Sequence, residues 1–192
     1  MGDKMCPLSR WWQVSVWMGA AAAVAVVAGP AALQAGPVGH SITYYNAKYG
    51  FTLGVPVEIF EPASANAQEE GGLWVSRDGQ ARLLAVAAPT ASGVTLASYR
   101  QFVMQQSYAN ATVEYAPVRD TWFVLSGRKD GQMFYERINF ACDGRYIYGW
   151  QLTYPIAERI LYDAVVEAVH RSYRAGRGED GRCGRTLSAP PR

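Results

Sequence analysis

Three Asp-Gly dipeptides separate stretches of the chain that are rich in aromatic and β-branched residues, and they stand at Asp78-Gly79, Asp130-Gly131 and Asp143-Gly144. Asp-Gly is a strong signal for a hairpin, because a tight turn between strands needs positive φ at its central residues. Connections this short cannot hold a crossover, so the strands that they join must be antiparallel. The flanking stretches predict strands over 73–76, 80–88, 112–118, 121–128, 132–141 and 145–154.

Two other stretches have the spacing of amphipathic helices. In residues 95–107 the side chains of Leu96, Tyr99, Phe102 and Val103 share one face, and Thr95 can act as the N-cap. A second helix is predicted over 155–173, because Pro155 suits a first helical position. Its apolar stripe consists of Leu161, Ala164, Val165, Ala168, Val169 and Ser172.

The order of these elements is hairpin, helix, meander, helix. This order predicts an α+β fold with a single antiparallel sheet and both helices packed on one face. Residues 44–174 would form this domain. A linker is expected over 36–43, and a flexible tail rich in Gly, Arg and Pro over 175–192.

The first 35 residues differ in character from the rest of the chain. Lys4 and Arg10 precede an uncharged apolar run over 14–29, and small residues follow as far as Ala35. Basic, apolar and small residues in that order predict a secretory signal peptide, cut after Ala35. The alternative is an uncleaved anchor in the inner membrane, because 11–35 is long enough to span a bilayer. Both interpretations place the domain outside the cytoplasm, in the periplasm or secreted.

The cysteines fit the same interpretation. Cys6 lies in the leader, which leaves Cys142 and Cys183 to form a disulfide in an oxidising compartment. A metal site would need more ligands than these cysteines with His40 and His170, so no metal is expected.

The charge and the motifs exclude several classes of function. The formal net charge is only +2, which gives no electrostatic reason to expect nucleic acid. The sequence contains no G-x-S-x-G turn, no P-loop and no G-x-G-x-x-G loop, and His170 has no evident nucleophile to serve. No catalytic residue and no cofactor is therefore assigned, although an enzyme of unfamiliar type stays open.

The aromatic residues of the meander supply the one candidate site. If both later Asp-Gly turns hold two residues, Arg137 faces Val124 on one side and Trp150 on the other. One face of the sheet then mixes large amphipathic rings with polar groups, which can bind a sugar, a peptide or another protein. The candidate binding residues are Trp122, Tyr135, Arg137, Tyr148 and Trp150. The alternative is that this face is core, covered by the 61–72 loop or by the helices.

Several short motifs carry a resemblance to known proteins. They are Tyr49-Gly50-Phe51 before Pro56, Ser76-Arg77-Asp78-Gly79, 123–127, and 152–155 before a helix that ends in Ser172-Tyr173. Over residues 44–173 the chain resembles small exported proteins of alphaproteobacteria and, more distantly, the Mog1/PsbP-like α/β fold. The resemblance implies an assembly factor or protein-binding module rather than an enzyme.

Together these observations predict an exported, non-enzymatic binding or accessory module of the cell envelope. Its partner would be a protein or an envelope polymer. The alternatives are the enzyme of unfamiliar type and a membrane-tethered structural subunit, whose contact with the membrane would be through an uncleaved leader.

Overall fold

A seven-stranded antiparallel sheet forms the centre of the computed structural model, which describes residues 38–63, 69–179, 181 and 183. The predicted leader lies outside the described residues. In chain order the elements are β1 (Ser41–Tyr45), β2 (Thr52–Pro56), β3 (Phe60–Pro62), β4 (Gly71–Ser76), β5 (Arg82–Pro89), α1 (Leu96–Gln106), β6 (Thr112–Tyr115), β7 (Trp122–Lys129), β8 (Gln132–Ala141), β9 (Tyr146–Pro155) and α2 (Arg159–Ser172). The strands of the large sheet lie in the order β3-β4-β5-β9-β8-β7-β6, and β1 and β2 form a separate two-stranded sheet.

The hairpin and meander predicted from the Asp-Gly turns are confirmed. Arg137 pairs with Val124 of β7 and with Trp150 of β9, which is the register expected from two-residue turns. Asp130 and Gly131 have φ angles of 50° and 79°, so this turn uses the positive φ that a tight hairpin requires. The turn chemistry therefore sets which side chains share a face of the sheet.

The prediction of a single sheet is wrong. The hairpin of β1 and β2 does not join the edge of the large sheet, because the side chains of Leu53 and Val55 are buried in the core beneath α2. The backbone N–H of Gly54 also donates to the Ser172 hydroxyl, at 2.8 Å. Since β1 begins at Ser41, part of the expected linker is strand.

The helices lie on opposite faces of the sheet, which corrects the expectation of one shared face. On α1, Tyr99 and Val103 pack on Phe123 and Ile138. On α2, Val165 and Val169 belong to the core that contains Trp150. Side chains alternate along a strand, so Arg137 and Ile138 point to opposite sides of β8. The sheet is therefore covered on both faces.

The start of α2 also differs from the prediction. Pro155 is the last residue of β9, paired with Gln132, and a 3-10 turn over Ile156–Glu158 separates it from the helix. The helix is rotated from the expected stripe, so that Tyr162 is buried and Leu161 is exposed. The reason is aromatic packing, since the Tyr162 ring stacks on Tyr154 with centroids 5.1 Å apart.

The chain beyond α2 is packed for several residues, although a flexible tail was expected there. Arg174 pairs with Thr52 through backbone hydrogen bonds, and the N–H of Gly178 donates to the Tyr148 hydroxyl at 2.7 Å. A disulfide then joins Cys183 to Cys142, with their Cα atoms 5.0 Å apart, as predicted. The chain after α2 is thus attached to the rest of the domain at Arg174, Gly178 and Cys183.

Among the described residues, no helix is long and apolar enough to cross a membrane.

Candidate functional site

The five predicted binding residues share the face that α2 covers, but they differ in exposure. Tyr148 and Trp150 are core residues, with 0% and 1% of their surface exposed, because they lie on the central strand β9. Trp122, Tyr135 and Arg137 are half-buried, because β7 and β8 lie toward the edge of the sheet. Only these three can contact a ligand directly.

The guanidinium of Arg137 lies at the centre of the accessible part. Its Cζ atom is 4.6 Å from the centre of the Trp122 ring, which is within the range of a cation–π interaction. Its Nε–H donates to Oδ1 of Asn139, two residues along the same face, at 3.0 Å. The ring and the amide together fix the plane of the guanidinium.

His170 of α2 completes this arrangement. One terminal nitrogen of Arg137 lies 3.2 Å from Nε2 and 3.4 Å from Nδ1 of His170, and the Tyr135 hydroxyl lies 3.1 Å from Nδ1. A guanidinium can only donate, so the unprotonated nitrogen of the neutral imidazole accepts its hydrogen bond. We refer to Trp122, Tyr135, Arg137, Asn139 and His170 as the Arg137 cluster.

The electrostatic environment of the cluster disfavours the protonated form of His170. Partial burial lowers the pKa of His170, and the nearby positive charges of Arg137 and Arg171 lower this pKa further. Burial raises the pKa of Tyr135, which stays a neutral phenol at physiological pH. The cluster thus holds one permanent positive charge among neutral polar groups.

The charge of Arg137 is not balanced locally. Among the residues that the structure describes, no carboxylate oxygen lies within the 4.0 Å of an ion pair to Arg137. A second guanidinium, that of Arg119, lies 5.9 Å from the Trp122 ring and likewise has no ion-pair partner in the described part of the chain. Arg171 is paired with Glu167, at 3.2 Å.

The surface continues beyond the cluster toward the β6 edge. Tyr115 faces Ser126, which in turn faces Tyr135, so these residues form one row across three strands. Tyr115 is 57% exposed. An exposed aromatic ring therefore extends the surface of the cluster toward the β6 edge.

Sequence reasoning missed His170. The sequence pattern indicates a partly exposed histidine on a helix, because the Phe/Leu/Ile face of the sheet is the one that suits helix packing. The available signal was its place directly after Val169 of the apolar stripe, which brings it to the rim of whichever face α2 covers. Placing α2 on the Tyr/Trp face would have brought His170 next to Tyr135.

The opposite face of β8 holds a buried acid. Glu136 is 0% exposed, and burial raises the pKa of its carboxyl to about 8, although a hydrogen bond with Tyr108 opposes part of this shift. The Tyr108 hydroxyl also accepts a hydrogen bond from Gln151, at 2.8 Å. This group lies beneath α1 and offers no surface to a ligand.

In the described ranges, no group of three or more His, Cys, Asp and Glu side chains is placed to hold a metal ion.

The architecture defines the class to which the protein belongs by fold. It is an α+β protein in which a helix lies on each face of an antiparallel meander sheet, with an additional β-hairpin packed beside α2. This arrangement agrees with the PsbP-like fold that the sequence motifs indicated.

Comparison with a solved PsbP structure supports this assignment of the fold. The chain is similar to the cyanobacterial PsbP protein (CyanoP) of Synechocystis, with a TM-score of 0.51 and 14% identity over 74% of this chain and 97% of that one. It is also similar to the Ran-binding protein Mog1p of Saccharomyces cerevisiae, with a TM-score of 0.49 and 13% identity over 71% and 95% of the two chains. No family model and no curated protein matches the sequence. At this level of identity the likeness is one of fold.

Proposed function

We propose that the protein is an exported, non-enzymatic binding or accessory module of the cell envelope, which holds its partner through the Arg137 cluster. The observation that carries the proposal is the geometry of Arg137. This side chain is half-buried, lies on the Trp122 ring and has no carboxylate partner in the described part of the chain. A charged group held in this way suits recognition of another molecule.

The composition of the surface favours protein binding. Trp, Tyr and Arg are the residues that most often dominate the energy of protein interfaces. Asn139 and His170 already fix the Arg137 side chain, so that little side-chain entropy remains to be lost when a partner binds. The cluster is therefore organised for binding before the partner arrives.

The contacts of His170 favour binding over catalysis. Its ring nitrogens are in contact with a phenol and a guanidinium. Nucleophilic catalysis needs a histidine between a hydroxyl or thiol nucleophile and a group that orients the ring and supports its positive charge. Arg137 does the reverse, because it disfavours the protonated imidazole.

The disulfide and the leader support export. Disulfides persist in oxidising compartments, and the Cys142–Cys183 bond joins two elements that are distant in sequence. The resemblance to small exported proteins of alphaproteobacteria agrees with this compartment. Mass spectrometry of the protein from a bacterial host tests export. A chain that begins near Gly36 and lacks free thiols is expected, whereas a full-length, reduced chain in the cytosol would contradict it.

Affinity enrichment from envelope extracts tests the binding role. Partners retained by the wild-type protein and identified by mass spectrometry are expected to be lost with Trp122→Ala and with Tyr135→Ala. Tyr45→Ala is the matched control, because Tyr45 is an exposed tyrosine of β1. Equal retention of partners by all four proteins would contradict the proposed surface.

A further inference from the structure

The unbalanced charge of Arg137 defines what the cluster is built to bind. Charged side chains that are removed from water are ordinarily paired with an opposite charge. Arg137 instead contacts the Asn139 amide, the His170 imidazole and the Trp122 ring, all of which are neutral. These contacts orient the guanidinium without neutralising it.

We propose that Arg137 binds a carboxylate from an acidic segment of the partner protein, with Trp122 and Tyr135 on either side of the contact. The inference rests on the proposed function, and it specifies the chemistry of the partner at the same surface.

The geometry of the guanidinium favours a carboxylate. Its Nε edge is occupied by Asn139, and one terminal nitrogen donates to His170. The second terminal nitrogen makes no hydrogen bond to the described residues, while the Trp122 ring holds the group with Cζ 4.6 Å from its centre. A carboxylate can accept a charge-assisted hydrogen bond from this nitrogen. One positive charge with a neutral histidine suits a monoanion better than a phosphate dianion.

The neighbouring residues favour a protein segment as the source. Arg119 and Arg137 both contact Trp122, so two uncompensated guanidiniums flank one ring. An extended chain places side chains two residues apart on the same side, about 7 Å from one another. Two acidic residues at that spacing can reach both arginines, while an apolar side chain of the segment covers Tyr115, which is exposed.

Binding of a carboxylate has a measurable consequence at His170. The groups that face this imidazole are Tyr135 and Arg137 from β8, and Arg171 from its own helix. The two arginines lower the pKa of His170, so an anion at Arg137 offsets part of their effect and raises this pKa. Binding therefore takes up protons and tightens as the pH falls toward the pKa of the bound state.

Nuclear magnetic resonance of the purified protein with its disulfide intact tests the inference. The probes are an acetylated and amidated peptide of alternating Glu and Ala, the matched Gln–Ala peptide, and inorganic phosphate. We expect the Glu peptide to bind about tenfold more tightly than the Gln peptide, which is the size of one charge-assisted hydrogen bond. Its binding should shift the Trp122 indole signal and raise the pKa of His170. Equal affinity for the two peptides, or tighter binding of phosphate, would overturn the inference.

Variants of the arginines locate the carboxylate. Arg137→Gln is expected to abolish the preference for Glu over Gln, and Arg137→Lys to reduce it, because lysine keeps the charge and loses the planar fork. Arg171→Gln is the matched control and should keep the preference, since Arg171 is already paired with Glu167. If Arg137→Gln does not fold, the Arg137→Lys variant and the titration of His170 in the wild-type protein test whether the carboxylate binds at Arg137. An unchanged preference in Arg137→Lys together with an unmoved His170 pKa would exclude Arg137 as the site.

The two proposals can fail separately. A partner that depends on Trp122 and Tyr135 but not on Arg137 would refute the carboxylate contact and leave the binding role intact. Binding of the Glu peptide at Arg137, without any envelope partner that depends on Trp122 or Tyr135, would refute the proposed function and leave the site intact.

Discussion

The rings of Tyr135 and Trp150 stack with their centroids 5.0 Å apart and their planes 23° from parallel. Trp150 is 1% exposed, whereas Tyr135 remains half-open to solvent on the neighbouring strand. The boundary between the core and the candidate binding surface therefore runs between these two residues. The same face of the sheet contributes to the core and to the candidate binding surface, because α2 covers the central strand β9 and leaves part of β7 and β8 accessible.

Substitutions on the two sides of this boundary should differ in their cost to stability. Trp150→Ala is expected to lower the free energy of unfolding by about 3–5 kcal/mol, because it leaves a large cavity under α2. Trp122→Ala removes a half-buried ring and should cost about 1 kcal/mol. Chemical denaturation of both variants measures the difference. Equal losses would mean that Trp122 is a core residue and not part of a binding surface.

The buried carboxyl of Glu136 should make the stability of the protein depend on pH. Its pKa is about 8 in the folded protein, against 4.5 as the ordinary value, so the folded state binds more protons than the unfolded state between these values. The free energy of unfolding should therefore fall as the pH rises from 4.5 to 8, with this group contributing up to about 1.4 kcal/mol per pH unit.

Glu136→Gln removes this contribution while keeping the size of the side chain. The variant should lose stability less steeply with rising pH, and at pH 8 it should be more stable than the wild type. Denaturation at pH 5, 6.5 and 8 checks the prediction. Parallel curves for the two proteins would show that Glu136 is already ionised in the folded state.

His170 should titrate below its ordinary range in the free protein. Its pKa is lowered first by burial and then by the charges of Arg137 and Arg171. The folded state thus prefers the neutral imidazole, and His170 destabilises the fold as the pH drops below about 6.5, its unfolded value. In Arg137→Gln, the titration midpoint of the imidazole resonances should move upward. A midpoint that does not move would mean that Arg137 exerts no charge effect on the ring.

The disulfide should contribute strongly to stability. It joins residues 41 positions apart in the sequence, and a loop of that size is worth about 4 kcal/mol in the chain-entropy account. The double variant Cys142→Ser with Cys183→Ser is therefore expected to unfold at a lower denaturant concentration. Reduction of the wild-type protein should give the same loss. If reduction had no effect, the bond would not constrain the fold.

The parts of the fold that sequence reasoning captured are those set by local chemistry. Asp130-Gly131 determines a turn by its backbone preferences alone, and this turn fixes the register that places Tyr135, Arg137 and Trp122 on one face. The helix cap at Thr95 is equally local, since its side chain and that of Ser98 bond to one another's backbone N–H groups.

What sequence reasoning missed depends on contacts between distant segments. The side of the sheet on which α2 lies is decided by burial of Val165 and Val169 against Trp150 and by the bond from Gly54 to Ser172, neither of which has a local signal. The position of α2 also brings His170 next to Arg137. For this reason the residues of the site that lie on β7 and β8 were predictable from the sequence, whereas His170 on α2 was not.

Mapping the partner's footprint on the protein is the most direct test of the account. With the partner recovered by affinity enrichment, chemical-shift changes in the complex should centre on Trp122, Tyr135, Arg137 and His170, and residues beneath α1 such as Tyr108 and Glu136 should be unaffected. A footprint centred on the α1 face, or on the β1–β2 hairpin, would contradict the assignment of the Arg137 cluster as the binding site.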